Sequence, residues 1–285
     1  MSFLAGAPHT RVVGGSRTSV PWGVVTAGVV LAVIVVAAVA PWVLTSASPL
    51  ETNAAAAGQA PSLAHFFGTD QSGRDVFTRV VYGARYSLMV GLGATALALA
   101  VGLILGVGAA LGPRVLDTAV SRLIDVLMAF PEFLLALVVI AVIGPGEASI
   151  PIAVALAAIP AYARVARSET LVVSRAGYIR ASRLLGVHPF TVVMRHIIPN
   201  IVSPLLVMAT IGVGTAIVTA SGLSFLGLGP QPPTPEWGVI LSEGRNYLAT
   251  AWWIGVFPGL AITATVLSIS TVGRYARARS EGRLS

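Results

Sequence analysis

The chain has 285 residues, 55% of them hydrophobic and 10% charged, with a formal net charge of +7. A soluble domain carries roughly 25% charged residues, so a water-coated globule of this size is excluded. There is no cysteine, which removes disulfides, thiol catalysis and cysteine metal sites.

Residues 1–21 read as a polar tail with Arg11 and Arg17. The first apolar stretch, Trp22 to Leu44, has no charge and carries Trp22 and Trp42 near its ends. Their separation along a helix is about 30 Å, the hydrocarbon thickness, with an aromatic at each interface. The stretch exceeds the roughly 7–15 apolar residues of a signal peptide and reads as a span. Residues 45–85 are polar enough to lie outside lipid, with turns expected at Gly68, Asp70 and Gly73.

The second span is expected from Tyr86 to Gly112. Its small residues Gly102, Gly106 and Ala110, and again Gly108 and Gly112, recur every four positions and permit close helix packing, within this subunit or against another. The third is expected from Leu123 to Ile143. Asp125 and Glu132 lie two helical turns apart there, on roughly one face. A carboxylate at membrane depth faces protein or water. Glu132 therefore lines a path, satisfies backbone groups freed by Pro131, or snorkels to the inner interface. Ile150 to Ala163, Ile201 to Gly222 and Trp252 to Val272 complete six spans. The loop after the fifth holds Pro230, Pro232, Pro233 and Pro235 and should be stiff and extended, suited to docking a soluble partner or to closing the bundle. The chain thus reads as an all-α polytopic membrane protein. Residues 86–273 form its core, 164–200 a loop within it, and 274–285 a second tail.

Arginine sets the orientation, since there is no lysine. Six spans place both termini on one side, and that side collects fourteen arginines against four (Arg74, Arg79, Arg85 and Arg245) on the other. The positive-inside rule makes the arginine-rich side cytoplasmic. No soluble basic domain exists to bind nucleic acid. A phosphate-binding G-x-x-x-x-G-K-[ST] loop, H-E-x-x-H and G-x-S-x-G are all absent, and the histidines (His9, His65, His188 and His196) are scattered. Bound ATP, a metal centre and hydrolase chemistry are therefore not expected of this chain. A secondary transporter or channel would need buried charged relays, which the spans nearly lack.

Between spans four and five lies the basic segment "YIRASRLLGVHPFTVVMRHIIPN", Tyr178 to Asn200. A turn at Ala176-Gly177 should lead into a short helix from Tyr178 to Leu185, ended by Gly186. Pro189 should prevent its continuation and Pro199 start the return to the membrane. Periodicity alone leaves two roles open, a lever acting on both flanking spans or an anchor on anionic lipid.

This segment resembles the cytoplasmic signature loop of ABC importer permeases, E-A-A, three residues, G, nine residues, I-x-L-P. The frame here is Arg180-Ala181-Ser182, Gly186 and His196-Ile197-Ile198-Pro199. Arg180 replaces the acidic residue, Ser182 the second alanine, His196 the isoleucine and Ile198 the leucine. "FGTDQSGRDVFTRVVYGARYSL" (Phe67 to Leu88) and "LSFLGLGPQPPTPEWG" (Leu223 to Gly238) resemble permeases of the dipeptide/oligopeptide/nickel group, closest to the second, C-type subunit of the pair.

The resemblance implies a type I importer permease core in the bacterial plasma membrane. It implies a homologous B-type permease, two ATPase subunits or one fused ATPase that bind ATP and Mg, and an extracytoplasmic substrate-binding protein. Tyr178, Ile179, Arg180, Ala181, Ser182, Arg183, Leu184, Leu185, Gly186 and Val187 would form the coupling helix that meets the ATPase, with membrane lipid nearby. His196 and Pro199 close the motif. Dipeptides or oligopeptides are the expected solutes, with nickel or another small solute as the alternative.

Overall fold

The computed structural model describes residues 21–280, and the expected tails, with Arg11, Arg17 and Arg283, lie largely outside them. Within the described residues the chain is helical, apart from one isolated bridge between Thr69 and Asp75. Helix α1 spans Trp22–Val39 and ends where Pro41 opens a short 3-10 turn. Helix α2 spans Val76–Leu111 and is 36 residues long, about 54 Å. It starts well before the expected Tyr86. The Asp75 carboxylate caps it by accepting from the Thr78 N–H at 2.8 Å, so a stretch with Arg79 and Arg85 that looks like loop is already helix.

The expected third span is not one helix. Helix α3 covers Arg114–Met128 and α4 covers Glu132–Ile143, with a bend of 99° between them. Pro131 has no N–H to continue the ladder and disfavours helical geometry in the residue before it. α3 is strongly amphipathic, whereas α4 is apolar after Glu132. Asp125 and Glu132 consequently do not share a face.

Helix α5, Ser149–Ser174, runs on past the end of the span at Ala163, where the sequence has no proline to stop it, and keeps Pro160 inside it. Helix α6 is Gly177–Leu184. Helix α7, Pro189–Val192, then passes through a wider π turn at Val193–Ile197 into α8, Ile198–Phe225. Pro189 therefore begins the return, which the sequence placed at Pro199. Pro199 has no N–H for the carbonyl of Arg195, and the π turn falls at that gap. Helix α9, Trp237–Gly244, follows the proline run expected to be stiff and extended, and residues 226–236 are non-helical. Helix α10, Trp253–Ser280, is the last. Five helices are long and apolar enough to cross a membrane, and the bent α3–α4 pair gives a sixth crossing if counted as one.

α2 and α5 run in the same direction and form the spine of the bundle. Val90 and Ala94 pack with Ala153 and Val154, and further along Gly102 meets Tyr162 and Gly106 meets Ala166. A Cβ on Gly102 would sit 2.5 Å from Tyr162 Cβ, and one on Gly106 2.5 Å from the Ala163 carbonyl oxygen. The first small-residue register thus packs within the subunit. A Cβ on Gly108 would meet nothing within 4 Å. Gly106→Val should force the two backbones apart and lower stability by about 1–3 kcal/mol, as overpacking does. Gly108→Val should leave the melting temperature of the detergent-solubilised protein nearly unchanged, and equal losses in both variants would refute the close crossing.

Candidate functional site

Three regions carry polar or exposed chemistry: the end of the bundle with α6, the opposite end with α9, and the middle.

At the first end, α6 hangs between the end of α5 and the chain returning through α7. The Leu185 N–H donates to the Ala181 carbonyl at 3.0 Å, that of Gly186 to Arg183 at 3.1 Å, and that of Val187 to Ser182 at 3.1 Å. Gly186 sits at φ +79°, where a side chain is strained, so this glycine lets the chain turn back. Ile179, expected among the contact residues, is fully buried and points into the bundle. It packs in a cluster with Ala166, Val192, Ile197, Ile201 and Leu205. Val187 is half-buried against the same cluster.

The opposite face of α6 is free. Leu184 is 89% exposed, Leu185 83% and Tyr178 48%, with exposed Ala181 between them. Arg180 and Arg183 are exposed, and Ser182 turns its hydroxyl back to the Tyr178 carbonyl at 2.9 Å. His196 lies edge-on to Tyr178 with ring centroids 6.5 Å apart, and Pro199 sits in the first turn of α8. Phe190, 63% exposed, adds another apolar side chain from α7. Nearby, Asp117 of α3 accepts two hydrogen bonds from Arg167 of α5, at 2.5 and 2.9 Å. Asp125 pairs with Arg164 at the surface, away from Glu132.

At the other end, four charges close on one another. Asp70 Oδ2 accepts from Arg74 Nε at 2.6 Å and from Arg79 Nη1 at 2.7 Å. Glu243 of α9 accepts from Arg74 Nη2 at 2.8 Å and from Arg79 Nη2 at 2.6 Å. Asp70 and Arg79 are fully buried. In the sequence Asp70 reads as a turn marker and Arg74 and Arg79 only as topology signals. The available signal was the spacing of Asp70, Arg74 and Arg79 just before an apolar helix. Trp237 Nε1 donates to the Val80 carbonyl at 2.8 Å and Trp253 Nε1 to the Thr69 carbonyl at 2.9 Å, which locks α9 and α10 onto this segment. Glu236 caps α9 by accepting from the Gly238 and Val239 N–H groups, both at 2.9 Å. Burial pushes its carboxyl up, and those two donors oppose the shift.

In the middle, Glu132 stands at the start of α4 and caps no backbone group. It lines a cavity of about 180 Å³ with Thr95, Tyr162, Met208 and Gly212.

The family described as the binding-protein-dependent transport system inner membrane component matches residues 98–285. The chain belongs to that family. It is 42% identical over 245 residues to the dipeptide transport system permease protein of Alkalihalophilus pseudofirmus, covering 86% of this chain and 80% of that one. It is 43% identical over 244 residues to the glutathione transport system permease protein of Escherichia coli O6:K15:H31, with the same coverage. Its fold is similar to a chain of an inward-facing methionine ABC transporter, with TM-score 0.56 and 20% identity, over 73% of this chain and 96% of that one. Membership makes it a multi-pass inner-membrane permease subunit of a binding-protein-dependent ABC importer. Such an importer comprises, in general, a partner permease, an ATPase and a binding protein.

Removing Arg79 leaves Asp70 and Glu243 short of a partner in a buried site. Arg79→Ala should therefore destabilise the protein by about 3–5 kcal/mol. Arg79→Lys should recover only part, because an ammonium cannot reproduce the fork that spans both acids. Thermal unfolding in detergent measures both, and an unchanged midpoint for Arg79→Ala would refute a buried, closed quartet.

Proposed function

We propose that this chain is the C-type permease of a peptide importer, taking up dipeptides or oligopeptides, and that α6 is its coupling helix. The observation that carries the reading is the two-sided construction of α6. Ile179 is fully buried among residues of α5, α7 and α8, while Tyr178, Ala181, Leu184 and Leu185 present an apolar face to the outside. A groove on an ATPase can take that face, and Arg180 and Arg183 can meet its rim or nearby lipid phosphates. Displacement of α6 then acts on α5 and α8 together through Ile179, which favours rigid-body rocking over local bending. The relatives named for dipeptide and glutathione transport support the solute class.

In this reading the α6 end faces the cytoplasm and the α9 end faces the binding protein, on the arginine asymmetry. A homologous B-type permease completes the pathway. ATP and Mg bind two ATPase subunits or one fused ATPase, and this chain does no catalysis of its own. Single cysteines at Ser182 and Gln231, in a chain without any, test the orientation. An impermeant thiol reagent added to intact spheroplasts should label position 231 and spare position 182; the reverse pattern would invert the topology.

Ala181→Asp places a charge in the proposed contact, and Gly186→Val strains the turn that follows. Each should reduce ATPase recovered per permease about tenfold, the scale of one interface residue of moderate weight. Labelled-dipeptide uptake should fall in step, while membrane insertion persists. Arg180→Glu, which restores the motif's acidic residue, should be milder. Normal association and coupled uptake in both of the first two variants would leave α6 as a lipid anchor instead.

A further inference from the structure

The cavity in the middle of the bundle contains two polar groups that the fold does not use. Glu132 makes no hydrogen bond or ion pair among the described residues, and α4 begins without a side-chain cap. A carboxyl at the start of a helix gains little from the helix dipole, and a carboxylate within a span is kept where it faces protein or water. The Tyr162 hydroxyl is buried and also has no partner, in a side chain only 2% exposed.

Both residues line one space. Thr95, Tyr162 and Gly212 lie near the middles of α2, α5 and α8, which sets the cavity near the middle of the bundle. Gly212 of α8 makes room for the phenol, since a Cβ there would stand 2.1 Å from Tyr162 Oη. Ala158 and Met208 make the remaining wall apolar and adaptable. No arginine, lysine or histidine lines the cavity. Its only charge is an acid and its other free polar atoms are hydroxyls, so it matches a group that donates hydrogen bonds and carries positive charge. A volume of about 180 Å³ admits one small residue, not a whole peptide. Glu132 is exposed at its edge in the isolated chain, which leaves room for the rest of a ligand outside.

We propose that Glu132 and the cavity it borders form a binding site inside the permease for the protonated amino terminus of the transported peptide. This rests on the peptide-importer reading and adds to it a site in this chain. The Glu132 carboxylate pairs with the ammonium, and the first side chain packs on Ala158, Met208 and the ring of Tyr162. The site selects for a free amino terminus after the binding protein has released its cargo.

The test uses the assembled importer in detergent without the binding protein, and measures equilibrium binding of labelled dialanine and N-acetyl-dialanine. The wild type should favour the free amine by about tenfold, the scale of one charged hydrogen bond. Glu132→Gln, close to isosteric, should abolish the preference without lowering the melting temperature or ATPase association. Glu132→Asp should retain part of it. Equal affinity of the wild type for both peptides overturns the site, as does a loss in Glu132→Gln that is the same for both. Failure of the wild type to bind dialanine, while vesicles with binding protein take up peptide, also overturns the site and leaves the importer reading intact. No peptide uptake in those vesicles would overturn the peptide reading and the site with it.

Discussion

The close parallel crossing of α2 and α5 is the contact on which the rest of the arrangement depends. Two glycines, Gly102 and Gly106, let the backbones approach until Tyr162, Ala163 and Ala166 fill the groove. In lipid there is little hydrophobic gain from bringing helices together, so close van der Waals packing must supply it. Because the two helices run in the same direction, α3 and α4 must carry the chain back between them. The turn this requires falls at Ala129–Pro131, where α3 ends and α4 sets off at nearly a right angle. That turn is also what delivers Glu132 to the cavity beside Tyr162. One crossing thus fixes the spine, the return path and the polar spot at mid-depth.

The ends of the spine are treated differently. Where α2 begins, Asp70, Arg74, Arg79 and Glu243 tie the preceding segment to α9, and two indole N–H groups bond to backbone carbonyls across the same junction. Gly73, at φ +74°, passes so close to the Asn53 carbonyl that no side chain fits. This end is dense and closed by directional bonds. At the other end α6 is held mainly by one isoleucine and a run of apolar neighbours, with its outer face bare. Apolar packing of that kind resists separation but tolerates small rotations, whereas the charged quartet resists both. The asymmetry suits a body gripped at one end and pushed at the other.

Much of this was legible from residue order. Apolar runs, proline positions and the glycine after Leu185 located most helices and the turn beyond α6, because those signals act locally. What was hidden came from groups far apart in sequence. Glu243 lies well over a hundred residues from Arg79, and nothing near either residue announces the pairing. The start of α2 was misplaced for the same reason, since Arg79 and Arg85 look like loop residues until the quartet shows that the first of them is buried. The inward turn of Ile179 was hidden too. An eight-residue helix has an apolar residue on several sides, and only the position of α7 and α8 decides which side is the core.

The pattern of paired and unpaired charges separates structural groups from those left free for ligands or partners. Asp117 with Arg167, Asp125 with Arg164 and the quartet at the α9 end are satisfied within the chain. Removing one partner from the buried quartet harms the fold, because the others stay behind in a poor solvent, whereas the surface pair Asp125–Arg164 contributes little. Glu132, Arg180 and Arg183 have no ion-pair partner among the described residues. The two arginines lie where water can hydrate them, so their freedom costs little and fits a surface that meets another protein. Glu132 is exposed at the edge of a mostly apolar cavity inside the bundle. An unpaired acid there makes no bond that the fold uses, and a cationic ligand that arrives and leaves is a physical reason for keeping it. The same sorting explains why two acids of one short segment, Asp125 and Glu132, part company at Pro131: the first neutralises an arginine on the spine, and the second is carried inward and left open.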